Sequence, residues 1–393
     1  MVSGFRLPTQ AITLSDANGS AAIRQITFAG AGLIALVRLF CCQALGSTLV
    51  ARLPFILFTS FLVASFSWSE SPTLTLKRVA IFAFGIIAQI TVIHSSRRPV
   101  EAMIKTVVYF TMAVALVSIA LHIALPAQHT VNPARPGLAG ISNHPNTFAP
   151  FASIGLILSL GLRTSNRRQQ WIKLGGQALL ALALVLTTSI TAWAATLVCI
   201  ALYVFFVSTA YRRGLFQLIA LSVVTLVLII GWSNVKRGLF DAAGRDESLS
   251  GRDALWEIVG KKASEQSLIG HGFGAFWTEG KGRELVQTWN PRQSHNAYLD
   301  VFVDLGSIGL LATLAVFPLG ILMAWPSVSG KVNTPQRKAV SAMGATAFGY
   351  LITYGMSQSY LLRYDMFAFF ILVWITLLMT NPDSNRIQKE FAS

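Results

Sequence analysis

The sequence predicts an all-α, polytopic integral membrane protein with about 11 transmembrane helices (10–12), and three observations predict it. Of 393 residues, 53% are hydrophobic and only 12% charged, against about 25% charged in an ordinary globular chain. Mean hydropathy is +0.59. The apolar residues fall in blocks of about 16 to 25, the length that crosses a hydrocarbon core of about 30 Å. These blocks do not alternate as the roughly ten-residue strands of a porin-type barrel would.

Taken in order, the candidate spans are 26–45, 49–67, 79–93, 102–125, 147–162, 172–188, 191–208, 216–232, 297–325, 339–359 and 365–380. Short basic loops orient them. Arg97 and Arg98, then Arg163, Arg167, Arg168 and Lys173, then Arg212 and Arg213, then Lys331, Arg337 and Lys338, and lastly Arg386 and Lys389 fall on one side under simple alternation. The positive-inside bias makes that side cytoplasmic. The opposite face receives 67–78, 126–146, a long loop from 233 to about 295, and the short turn around Arg363. Three regions result: an N-terminal transmembrane bundle, 1–232, of about eight spans; a long periplasmic loop, 233–296, carrying short helices; and a C-terminal bundle, 297–393, of about three spans with a cytoplasmic tail. The segment 26–45, with Arg38 inside it, also reads as a broken or re-entrant hairpin, which would return the N-terminus to the cytoplasm. Residues 1–22 are polar and lack the apolar centre of a cleaved leader.

The net charge of +15 does not imply nucleic acid, because the lysines and arginines sit in short loops and form no basic stripe interleaved with aromatics. Cys41, Cys42 and Cys199 lie in apolar segments. They make neither a disulfide framework nor metal-ligand spacing, and no metal or cofactor is expected. Within the cores of the spans charge is limited to Arg38, with Asp304 and His122 towards the ends. That scarcity disfavours a transporter, whose midplane site needs such polarity. Trp68, Trp171, Trp232, Trp325, Tyr203 and Tyr211 read as interfacial anchors.

Aqueous chemistry is therefore expected on the outer face, above all in 251–309. There Gly251-Arg252-Asp253 precedes an apolar-periodic stretch with Ala254, Leu255, Ile258 and Val259, a short amphipathic helix. Arg252 falls at its start, where a guanidinium and backbone N–H groups together suit a phosphate, though a plain surface arginine fits as well. The run Gly270-His271-Gly272-Phe273-Gly274 is a poor dinucleotide fingerprint, with no strand or βαβ unit around it, and reads as a tight turn against the membrane surface. Ser294-His295-Asn296-Ala297-Tyr298 stands directly before re-entry into the membrane. His295 there suits a general base, and equally a capped interfacial turn. The loop 135–146 carries Arg135, Asn143, His144 and Asn146, with Asn146 or Thr147 expected to cap the next helix and His144 a loop residue.

Together these motifs resemble the O-antigen ligase and polymerase superfamily, including exopolysaccharide polymerases of the succinoglycan type. The matching pieces are Trp68-Ser69-Glu70-Ser71-Pro72 with Lys77-Arg78, the glycine-rich loop from Arg135 to Asn146, Gly251-Arg252-Asp253 with Trp256, Gly270-His271-Gly272, His295-Asn296-Ala297-Tyr298, and Gly306 with Gly309. The resemblance implies a GT-C-like, inverting, metal-independent glycosyltransferase in a bacterial inner membrane. Its donor would be a glycan linked to a polyprenyl diphosphate such as undecaprenyl diphosphate, with membrane lipid around it. Carried over, Arg252 would hold diphosphate and His295 would activate or orient the acceptor hydroxyl. Arg135, Arg78, His144, Asn146, Asn296 and Tyr298 would line the substrate. A chain-length regulator and a flippase would be partners.

One position departs from the family. Ser189-Ile190-Thr191-Ala192-Trp193 keeps the frame of a Ser-Arg/Lys-Thr-Ala motif but places Ile190 where the cation belongs. The missing charge would have to come from Arg135 or Arg78. The expected activity is polymerisation of lipid-linked repeat units. A ligase with the same donor, a glycolipid transporter and an inactive partner of an assembly complex are the alternatives.

Overall fold

The computed structural model describes residues 26–27, 29–38, 40, 52–96, 98–124, 131–132, 135–142, 144–208, 252–278, 282, 291–319, 346–363 and 366–379. The expected span 216–232, the segment 209–251 and the basic residues after 319 and after 379 lie outside them.

The described chain is predominantly helical. Its helices are α1 (Ala29–Arg38), α2 (Leu53–Ala64), α3 (Pro72–Ser95), α4 (Pro99–Ala124), α5 (Pro145–Leu160), α6 (Arg167–Leu186), α7 (Ile190–Ser208), α8 (Arg252–Glu265), α9 (Ala297–Leu314), α10 (346–355) and α11 (Phe367–Met379). Among the described residues, Pro72–Ser95, Pro99–Ala124 and Ala297–Phe317 are long and apolar enough to cross a membrane. One feature departs from the all-α expectation. Val131–Asn132 (β1) pairs antiparallel with Arg135–Leu138 (β2), where the glycine and prolines of this loop disfavour helix.

Helix starts follow local chemistry. Pro72, Pro99 and Pro145 each stand in a first turn, where the missing N–H costs nothing. The expected start of α5 near Thr147 moves to Pro145 for this reason. His144, not Asn146 or Thr147, is its cap, with Nδ1 accepting from Asn146 N at 3.1 Å.

One apolar core joins α2 and α3 to α11 and the end of α9. Phe317, just after α9, meets Phe55 and Phe58 of α2 edge-on at 5.8 and 5.9 Å, and Phe369 of α11 at 5.5 Å. Phe82 of α3 stacks on Phe369 at 5.7 Å. The outward faces are apolar too: Leu57, Leu116, Val185 and Leu311 are each more than half exposed. Helices apolar on both faces pack inward against one another and outward against lipid, which places the protein in a membrane.

Helix α9 is not continuous. Gly306 (φ 66, ψ −168) breaks it, and 267–272 satisfies the backbone groups the break releases. Ser307 N donates to Ser267 O at 2.8 Å and Ile308 N to Leu268 O at 3.2 Å. His271 N donates to Val303 O at 3.0 Å and Gly272 N to Asp304 O at 2.8 Å. An irregular backbone in an apolar setting persists only when its polar groups are satisfied in this way.

Candidate functional site

The glycine-rich run 270–274 is a joint. Gly270, Gly272 and Gly274 have φ of 65, 98 and 66, and a Cβ on Gly272 would lie 2.5 Å from the Ser69 side chain. The turn meets protein rather than open membrane surface, because 65–78 lies across it. Trp68 Nε1 donates to Ile269 O at 3.0 Å, Phe273 N to Ser65 Oγ at 3.2 Å and Thr75 Oγ1 to Phe273 O at 3.0 Å. Buried His271 sets Nδ1 2.6 Å from Glu70 Oε1 and Nε2 3.3 Å from Lys262 O. Arg78 donates to Gly274 O and lies in electrostatic range of Asp304.

Arg252 heads α8, at the helix start expected for it. Leu255, Val259 and Ala263 bury one face of that helix against Phe276, Trp277 and Val303. Its other face carries Lys261 beside Glu257 at 2.8 Å and Lys262 beside Glu265 at 2.6 Å. Those hydrogen bonds hold both lysines above the ordinary lysine range, but exposed pairs of this kind contribute little to stability. Trp256 Nε1 donates to Ser294 O at 2.7 Å, which ties the Arg252 helix to the turn that carries His295.

That turn is held from below by Asp300, whose Oδ1 accepts from Ser294 N at 2.9 Å and Trp277 Nε1 at 3.0 Å. Asn296 caps α9, its Oδ1 accepting from Tyr298 N and Leu299 N at 3.0 and 3.2 Å. Half-buried His295 has φ 58, a left-handed conformation unusual for a side-chain-bearing residue. Gln293 Nε2 lies 3.3 Å from His295 Nδ1, and Arg363 Nη1 donates to Gln293 Oε1 at 2.6 Å. Arg363 follows Leu362, whose φ is 55.

The remaining expected residues join through α10. Tyr298 OH donates to Ile352 O at 3.0 Å and Tyr354 OH to Asn146 O at 2.7 Å. Ser189 Oγ donates to Asn146 Oδ1 at 3.0 Å. Ser189 follows Thr188, whose φ is 51, and Gly137 of β2 packs on Thr187 and Thr188. The side chains with left-handed φ among the described residues, Thr188, His295 and Leu362, thus lie along one connected rim. Strained backbone of this kind gathers at functional sites.

The structure therefore groups His295, Asn296 and Tyr298 with Asn146 and His144, and links the Arg252 helix to them. Arg78 stands in the adjoining joint, and in β2 it is Gly137, two residues after Arg135, that packs on the Thr188 turn. Sequence reasoning missed Gln293, Asp300 and Arg363. The one available signal was that Arg363 is the cation of a short outer turn. Ile190 opens α7 beside Ser189. Among the described residues, no three His, Cys, Asp or Glu side chains are grouped so as to hold a metal ion.

Residues 175–314 match the family model described as O-antigen ligase. Over 316 residues the chain is 25% identical to the exopolysaccharide production protein ExoQ of Rhizobium meliloti (strain 1021), an alignment covering 74% of this chain and 69% of that protein. The resemblance read from the motifs is borne out. The matched region contains the Ser189 turn, the Arg252 helix, the His271 joint and the His295 turn.

Proposed function

We propose that this chain, which carries an O-antigen ligase domain over 175–314, is a membrane glycosyltransferase of polysaccharide assembly. It lengthens glycans carried on polyprenyl diphosphate at the outer face of the bacterial inner membrane. The observation that carries this reading is the meeting of the Arg252 helix and the His295 turn, through Trp256 and Ser294, at one end of an apolar helix bundle. A substrate with a lipid tail and an aqueous glycan needs that boundary. In this reading 1–232 and 297–393 form the membrane bundle and 233–296 the loop that closes over the reacting groups.

In the reaction, the anomeric C–O bond to diphosphate breaks as the acceptor hydroxyl attacks from the opposite side. The electron pair stays with the diphosphate oxygen, and the hydroxyl proton leaves to water on the attacking face. Fixed cations aimed at that developing charge lower the barrier without reorganising during the step. Arg252 takes this role, with Arg78 and Arg135 as supporting cations. His295 meets the reacting groups, while His144, Asn146, Asn296 and Tyr298 border the sugar.

The test is purified protein in lipid nanodiscs with a polyprenyl-diphosphate oligosaccharide. Polyprenyl diphosphate and a lengthened lipid-linked glycan should appear in the presence of EDTA. Absolute dependence on a divalent ion, or no turnover, would overturn the reading. The family description favours a second reading, in which the acceptor is a different glycolipid. Transfer to a lipid A core and not to a second donor molecule would establish it.

A further inference from the structure

Arginine has only N–H donors. The Gln293 atom that faces Arg363 Nη1 at 2.6 Å is therefore its carbonyl oxygen, and the carboxamide can lie only one way round. Its NH2 group, also donor-only, is then the atom 3.3 Å from His295 Nδ1. A donor facing Nδ1 requires a bare nitrogen there, so the proton of the neutral ring resides on Nε2. His295 itself, and Leu362 just before Arg363, have left-handed φ of 58 and 55.

Resting on the reading above, we infer that Gln293 and Arg363 are positioning residues that hold His295 as a neutral hydrogen-bond donor to the departing diphosphate. The base role expected of His295 needs a bare Nε2, and this relay supplies the opposite tautomer. An N–H donor suits an anionic oxygen, and no proton has to leave the ring during the step. The hydroxyl proton still leaves to water on the attacking face. Arg363, joined to His295 through Gln293 and in electrostatic range of buried Asp300, also brings a positive charge from a loop other than those of Arg78 and Arg135. It is a third candidate for the charge absent at Ile190.

The test begins without substrate. The full chain, labelled with 15N-histidine and placed in nanodiscs, has six histidines, and His295 is assigned by the signal lost in His295→Gln. At about pH 8.5, above the ordinary histidine pKa near 6.5, wild type should show a bare Nδ1 and a protonated Nε2. Gln293→Glu, raised to a pH at which its 15N signals show a neutral ring, should reverse this, because a carboxylate accepts from Nδ1–H. A protonated Nδ1 in wild type, or no change in Gln293→Glu, overturns the inference.

The activity arm reads the role. The new carboxylate favours the imidazolium, which keeps an N–H at Nε2. Gln293→Glu should therefore work at low pH and lose turnover by about 10²-fold, the scale of losing one such donor, as pH rises through the His295 pKa. Wild type, which keeps Nε2–H in both ring forms, should show no such fall. Full activity of Gln293→Glu at a pH where its 15N signals show a neutral ring with a bare Nε2 would overturn the donor role. Absence of turnover in wild type would defeat the proposed function while the tautomer measurement still stands.

Discussion

Glu70 and His271, 201 positions apart in sequence, meet with Oε1 and Nδ1 2.6 Å apart. The contact fastens the segment before α3 to the glycine joint beneath the broken helix α9. His271 is buried, and both of its ring nitrogens face acceptors. Removing either partner therefore leaves polar atoms poorly matched. Glu70→Ala and His271→Ala should each destabilise the protein by about 1–3 kcal/mol, read as a lower midpoint in thermal unfolding in detergent. Their effects should be strongly non-additive in the double variant, since they act on one contact.

Gly306→Ala should be more damaging than substitution at an ordinary helical glycine. Its φ of 66 with ψ −168 is a conformation essentially confined to glycine and costs a side-chain-bearing residue about 1–3 kcal/mol. A Cβ there would also lie 2.2 Å from the Leu268 carbonyl carbon, adding about 1–3 kcal/mol of overlap. The expected outcome is less inserted protein and faster proteolysis within 267–278. Gly175→Ala, where a Cβ meets nothing within 4 Å, is the control.

Arg252→Ala should lower turnover by about 10²–10³-fold with insertion unchanged, measured as release of polyprenyl diphosphate. Arg252→Lys should recover only part, because an ammonium cannot make the paired contacts of a guanidinium. Equal activity of all three proteins would remove Arg252 from the reaction.

Tyr298→Phe deletes the hydroxyl that bonds Ile352 O at 3.0 Å and keeps the ring at the rim. It should cost about 0.5–1.5 kcal/mol of stability and leave turnover within a few-fold. A loss of turnover beyond about tenfold at unchanged stability would show that the hydroxyl itself meets substrate.

Local rules accounted for much that is local. Leu255, Ile258 and Val259 announced the amphipathic α8 because a 3.6-residue period needs no partner to be recognised. Arg252 at its start follows from the same period, and Asn296 before α9 from capping chemistry. His144 was misjudged, since the decisive residue was Pro145, which draws the helix start upstream. The run 270–274 was legible as a turn, because three closely spaced glycines permit left-handed backbone. What it turns against was not legible, because Ser65, Ser69 and Glu70 lie about 200 positions away. Arg363 and Gln293 were missed for a related reason: neither belongs to a motif, and each has its role only through the other.

The sequence by itself determined the solvent of this protein, its helical character and the segments rich in chemistry. Apolar block length, charge deficit and helix-start chemistry act over a few turns at most. Tertiary structure alone decided that Gly306 could break α9, since Ser267 and Leu268 must be present to take up the freed N–H groups. It also decided the character of His295. A histidine in isolation has two tautomers and no assigned role. Here the donor-only guanidinium of Arg363 turns Gln293, and Gln293 in turn places the proton of His295 on Nε2.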